Sequence, residues 1–185
     1  MQPNARNSFS NSGWILEKAN EFSLFSDFEC GESDLDDFIR HDAERHRAEL
    51  LAETYMLKEA TVKSDFPVAF VSFCNDAIQL SKSARRRMLP RKKQYPFLPA
   101  VKIARLGVQT PFQNKNIGTL LINMAKKFFL HDNRTGCRFM TVDAYNKPRV
   151  INFYKKNGFA FLSEADQNKD TRSMYFDLKR LIAIK

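Results

Sequence analysis

From Arg105 to Leu121 the chain reads RLGVQTPFQNKNIGTLL, a strand that turns into a helix through a loop rich in asparagine. At the start of a helix several backbone N–H groups lack an intrahelical acceptor and point outward at the positive end of the dipole. The loop QNKNIGT can therefore hold an anion. A pyrophosphate suits it, because the backbone permits close approach at Gly118, Thr119 adds a hydroxyl and Lys115 adds a formal charge. Taken alone, the same loop is also an ordinary turn whose glycine lets a helix pack closely. About thirty residues on, VDAYNKPRVINFYKKNGF brings Asn146, then Phe153 and Tyr154, then Gly158 and Phe159. By itself Tyr154 reads as a packed aromatic at a helix end.

A second kind of chemistry is electrostatic. Arg85, Arg86, Arg87, Arg91, Lys92 and Lys93 form a dense basic cluster, reinforced by Arg40, Arg45 and Arg47. Such runs are commonly solvated faces, yet six cations in nine residues can neutralise several phosphates of a nucleic acid. The whole chain leans the same way, with 30 Lys and Arg against 21 Asp and Glu and a formal net charge of +9. That favours an anionic partner without naming it. Cys30, Cys74 and Cys137 are too few and too far apart for a disulfide framework or a zinc site, so reduced thiols and no metal are expected, with Cys74 in a core strand. His41, His46 and His131 fall on or beside helices and read as surface residues.

These groups must be positioned by a chain of 185 residues, enough for one domain, 1–185, with a substantial core. Its 43% apolar and 28% charged residues are ordinary for a globular protein, and 17 phenylalanines suit a core built on a sheet. No apolar run is long enough to cross a bilayer and the first thirteen residues are polar, so a cytoplasmic location is expected. A first strand is expected at Trp14–Leu16, then an amphipathic helix in SDLDDFIRHDAERHRAELLAE with Ser33 as its cap and Asp36 three residues on. Its apolar face is Leu35, Phe38, Ile39, Ala43, His46 and Leu50. TYMLKEA and FPVAFVSFCNDAI read as a hairpin, the second strand central because it is apolar on both faces. Residues 81–99, with three prolines, suggest a partial helix and an irregular connection. AVKIARLGV is a strand. The helix after it buries Ile117, Leu120, Leu121, Met124, Ala125 and Phe128 and turns Asn123, Lys126 and Lys127 outward. CRFMTVDAY is a strand, PRVINFYKKN a helix ended by Gly158, and FAFLSE and SMYFDLK are the last strands. The alternation implies an α/β protein with helices on both faces of a mixed sheet.

The two segments, QNKNIG and FY followed by GF, together resemble the GCN5-related N-acetyltransferase (GNAT) superfamily. Its cofactor loop has the form Q/R-x-x-G-x-G/A. Gln113 and Gly118 match, and Asn116 stands where the first glycine is usual, a substitution that asparagine's tolerance of left-handed backbone makes workable. The stretch from Asn146 to Phe153 is one residue longer than in many members, with Pro148 the extra one. The resemblance implies a GNAT fold, a mixed, mostly antiparallel sheet of about six to seven strands flanked by about four helices. It implies acetyl-CoA as donor, with Leu106, Gly107 and Val108 along the pantetheine arm and Gln113, Asn114, Lys115, Asn116, Ile117, Gly118, Thr119 and Asn146 among the binding residues. An amine acceptor attacks the thioester directly, the Val108 N–H polarises the carbonyl, and Tyr154 gives a proton to the departing thiolate. A phenol with a pKa near ~10 keeps that proton at neutral pH. For the base, Asp143, Glu59 and a relayed water stay open.

FECGESDLDDFIRHDA also resembles the F-x-C-G-x-x-x-L-D-x-F-[LI] opening of GNAT toxins that acetylate the amino acid on charged tRNA, and LPAVKIARLGV resembles their LPxxxxARLAV strand. This implies an aminoacyl-tRNA acceptor docked on the basic cluster, a ribbon-helix-helix antitoxin as partner, and a homodimer. The alternatives are acetylation of a small amine or of a protein or peptide, and a module that binds CoA or nucleic acid without turnover.

Overall fold

The computed structural model describes residues 8–61, 65–89, 95–131 and 136–182. Its strands are β1 (Ser8–Asn11), β2 (Trp14–Lys18), β3 (Glu53–Glu59), β4 (Ala69–Ile78), β5 (Leu98–Val108), β6 (Phe139–Tyr145), β7 (Ala160–Phe161) and β8 (Thr171–Asp177). Its helices are α1 (Ser33–Asp37), α2 (Ala43–Ala48), α3 (Lys82–Met88), α4 (Ile117–His131) and α5 (Pro148–Lys156). A π turn at Phe38–Asp42 joins α1 to α2. The strands form one eight-stranded sheet in the order β1-β2-β3-β4-β5-β6-β8-β7. This exceeds the expected six to seven, because SFSN pairs with Trp14–Glu17 of β2 as an extra edge strand. Its polar composition hid it. The pairs β1–β2, β2–β3, β3–β4, β6–β8 and β7–β8 are antiparallel. Arg138 N–H donates to the Pro99 carbonyl at 3.1 Å, and Lys102 pairs with Asp143 at 2.6 Å, so β6 advances beside β5 in the same direction. A parallel pair needs a long crossover, which runs through α4. Among the described residues no helix is long and apolar enough to cross a membrane.

The chain divides into two compact units, Met1–Cys74 with Ile103–Asp132, and Asn75–Lys102 with Asn133–Lys185. In the first, Phe25, Phe28, Phe38 and Phe70 are buried together, with Phe28 and Phe70 rings 5.2 Å apart edge to face. Each such ring contributes about 1.5–3 kcal/mol by leaving water. In the same unit Phe73 of β4 meets Phe129 of α4 at 4.9 Å, so β4 is apolar on both faces as its sequence implied. In the second unit Ile78, Leu80, Leu98, Ala100 and Phe139 pack with Ala84 and Met88 of α3.

Three expectations change. Ser33 is not the cap of α1: Glu32 holds that place without a side-chain bond, and Asp36 instead accepts the Cys30 N–H at 2.8 Å. Gly31, at φ +80°, folds the preceding turn back so that Cys30 faces the helix. The helix also stops at Ala48, because Leu50 adopts φ 58° and lies 89% exposed rather than on the buried face. Lys126, expected on the outer face of α4, is buried. Arg40 and Arg47 donate to the Phe28 and Ala19 carbonyls, and of the three cations Arg40 and Arg45 are exposed while Arg47 is half-buried.

Candidate active site

In the first unit, Leu106 and Val108 of β5 are half-buried while Gly107 turns toward the core. A Cβ on Gly107 would come within 2.5 Å of the Phe70 ring, and Phe70 is fully enclosed, so only glycine fits there. Gln109 then ties the end of β5 to the start of β4, its N–H donating to Val68 and its side chain to Pro67, both at 3.0 Å. A 3-10 turn at Thr110–Phe112 leads to Gln113, whose amide donates to the Cys30 carbonyl at 2.7 Å and the Val108 carbonyl at 3.0 Å. Gln113 therefore holds the loop in place through its side chain.

Beyond it Asn114 and Asn116 both adopt left-handed backbone, φ 60° and 62°. Asparagine thus does at position 116 what the missing glycine would do, and does it twice. Asn114, Lys115 and Asn116 are exposed, and Lys115 lies 5.6 Å above the Phe112 ring. The Asn116 carbonyl accepts the first helical bond, from Leu120 at 2.9 Å. Ile117 buries its side chain and anchors α4, and its N–H and that of half-buried Gly118 lie in the first turn, at the helix opening. The first turn of α4 carries no acidic residue, although acids are favoured at that position. An opening that is cationic, free of carboxylates and rich in N–H groups fits a pyrophosphate.

In the second unit, Tyr154 sits near the end of α5. That end is a Schellman closure, with Phe159 N–H donating to the Tyr154 carbonyl at 3.0 Å, Gly158 N–H to Lys155 at 2.9 Å, and Gly158 at φ +82°. The Phe153 and Phe159 rings lie 5.1 and 5.4 Å from that of Tyr154. The ring is buried, which pushes the phenol above its ordinary pKa, and the hydroxyl makes no hydrogen bond to any described residue. Such a group stays protonated and is available to a ligand. Pro148 takes the first position of α5, where its missing N–H costs nothing. Asn146 is fastened elsewhere: its side chain donates to the Gln167 and Lys169 carbonyls at 3.0 and 2.9 Å, holding a loop beside a hollow lined by Tyr145, Lys147 and Asp170.

Asp143 is engaged by Lys102 at 2.6 Å and by the Ser173 hydroxyl at 2.7 Å. Against the upward push of partial burial, these partners hold its carboxyl below the usual range, which makes it a weak base. Glu59 ends β3 opposite Trp14. His41 and His131 are exposed, and His46 is half-buried against Phe38. Cys30, Cys74 and Cys137 form no disulfide among the described residues, and burial pushes the Cys30 thiol up to about 12. Of the basic cluster, Arg85 is half-buried and Arg86 exposed on α3; Arg87 lies in the same helix. Arg91, Lys92 and Lys93 lie outside the described residues.

A family model described as the Acetyltransferase (GNAT) family matches residues 24–159. The chain belongs to this family. It is therefore an N-acetyltransferase that takes acetyl-CoA as donor, on the mixed sheet the resemblance implied. Among curated proteins none matches the chain. Solved structures share the GNAT fold at low identity. A tyrosine-to-phenylalanine mutant of KacT has TM-score 0.74 at 16% identity, covering 94% of this chain and 100% of that one. AtaT complexed with acetyl-methionyl-tRNAfMet has TM-score 0.74 at 18% identity, covering 92% and 98%. A tyrosine-to-phenylalanine mutant of the toxin AtaT, bound to the C-terminus of the antitoxin AtaR and acetyl-CoA, has TM-score 0.69 at 17% identity, covering 94% and 100%. The GNAT loop was found from Gln113 and Gly118; the second left-handed asparagine, Asn114, was not, because only backbone angles reveal it.

Proposed function

We propose that this acetyltransferase transfers the acetyl group to the α-amine of an aminoacyl-tRNA. The reading rests first on the likeness, over nearly the whole chain, to a toxin solved with an acetylated aminoacyl-tRNA. The +9 charge and the exposed Arg86 beside Arg85 support an anionic acceptor. Arg87, Arg91, Lys92 and Lys93 extend the same basic run in sequence.

The donor supplies an activated acetyl thioester. The loop from Gln113 to Thr119 holds its pyrophosphate, β5 from Leu106 to Val108 lines the pantetheine, and the Val108 N–H polarises the carbonyl. Orientation and charge stabilisation then suffice, without a nucleophilic side chain. Tyr154 donates its proton to the thiolate as it leaves; its raised pKa and unengaged hydroxyl suit that role. It is also consistent that the AtaT and KacT structures include tyrosine-to-phenylalanine mutants. With Asp143 held by Lys102, a relayed water is the better route for the amine's proton. The AtaT–AtaR complex supports an antitoxin partner for this chain, and a homodimer remains part of the same reading.

CoA release measured against charged tRNAs, peptides and small amines tests the acceptor. Turnover is expected with charged tRNA, and replacing the six cations of 85–93 by glutamine should weaken tRNA binding and flatten its salt dependence. Equal turnover with a small amine and unchanged tRNA binding would assign the enzyme to that substrate instead.

A further inference from the structure

The most exposed aromatic side chains among the described large hydrophobics are Tyr95 and Phe97, at 62% and 59%. They stand on either side of Pro96, just before β5, in a protein that leaves only Phe66 and Phe97 of its 17 phenylalanines exposed. Arg85 reaches them from α3, its guanidinium donating to the Tyr95 carbonyl at 3.3 Å. The Arg85 Nε is buried without a hydrogen-bond partner, while exposed Arg86 follows it on α3. Two exposed rings beside Arg85, with exposed Arg86 next to it on α3, differ from a merely solvated basic face, which has no use for aromatic area.

Resting on the tRNA reading above, we infer that Tyr95 and Phe97 form a stacking platform for unpaired bases, with Arg85 and Arg86 holding the adjoining phosphates. The occupant is single-stranded because the bases of a duplex are already stacked on one another and present only edges. Unpaired bases offer a face to any aromatic ring, whatever their identity. A charged tRNA has such a strand at the end that carries the amino acid. The platform thus binds the acceptor end of the substrate, and the cations beside it set the salt dependence.

The test is fluorescence anisotropy of the full chain with a 5′-labelled deacylated tRNA, intact or with its unpaired 3′ nucleotides removed. Wild type should bind the intact form about 5- to 150-fold more tightly, the range for stacking one base. Tyr95→Ala with Phe97→Ala should bind both forms equally, with an unchanged salt slope. Tyr95→Phe with Phe97→Tyr, which keeps both rings, should restore the preference. Arg85→Gln with Arg86→Gln should lower the slope. If wild type binds the two forms equally, or the alanine variant keeps the preference, the platform is wrong while the tRNA reading stands. If wild type binds neither form, both fall. Loss of a dimer in sedimentation on alanine substitution, with RNA binding unchanged, would give the patch to a second copy of the chain.

Discussion

Asn116 carries the site's main departure from its family, and its geometry explains why the departure is tolerated. At φ 62° a residue with a Cβ is strained by roughly 1–2 kcal/mol, least for asparagine, whose short polar side chain is at home there. Asn116→Gly should leave acetyl-CoA binding intact or improve it, whereas Asn116→Val should weaken binding by about 5- to 30-fold. Isothermal titration calorimetry with CoA measures both, and a valine variant that binds normally would show that the turn does not shape the anion site. Residue types announced this much: Gln113, Gly118 and the FY pair were legible as a pattern. What they touch was not. Gln113 is expected among the cofactor-binding residues, and its side-chain amide joins the Cys30 and Val108 carbonyls, 83 and 5 residues away in sequence. Asn146 likewise closes a loop with Gln167 and Lys169. Long-range backbone partners leave no local signal.

Helix ends show the same division. Gly158 announced the end of α5 because glycine accepts left-handed backbone without strain, and the Schellman bonds through Tyr154 and Lys155 follow. The end of α2 is closed alike, with Leu51 N–H donating to His46 and Leu50 N–H to Arg47, but a leucine takes the left-handed place. No rule of spacing predicts that, so the helix seemed to run on. Leu50→Gly should therefore raise stability by about 1 kcal/mol, read from urea unfolding, since an exposed side chain and backbone strain are removed together. Gly158→Ala should act oppositely: its Cβ meets Phe176 at 3.0 Å in strained backbone, for a loss of about 1–3 kcal/mol. A Tyr154 displaced with it should also lower kcat. Sequence periodicity found the central strand β4 and the anchoring face of α4, both dominated by burial. It missed β1, whose residues are polar, and the inward turn of Lys126.

At the scale of the whole molecule, pH reports the buried acids. Burial holds the Cys30 thiol protonated up to about 12 and raises the Tyr154 phenol as well. Unfolded, these groups release protons near their ordinary values of about 9 and 10, so the native state binds more protons above pH 9. Stability is then present below about pH 9 and declines as pH rises. Thermal melting from pH 8 to 11 should show that decline, and Cys30→Ala should make its first part shallower; an identical slope would remove Cys30 from the account. The fold and the donor follow from family membership, and the acceptor and the proton donor are the proposals that remain. Mass spectrometry of the amino acid recovered from a panel of charged tRNAs, incubated with acetyl-CoA and either wild type or Tyr154→Phe, addresses both at once. The account predicts an N-acetylated amino acid with wild type, formed about 10²- to 10⁴-fold more slowly by the variant, which still binds CoA normally. Unmodified amino acids on every tRNA, or equal rates for the two proteins, would contradict it.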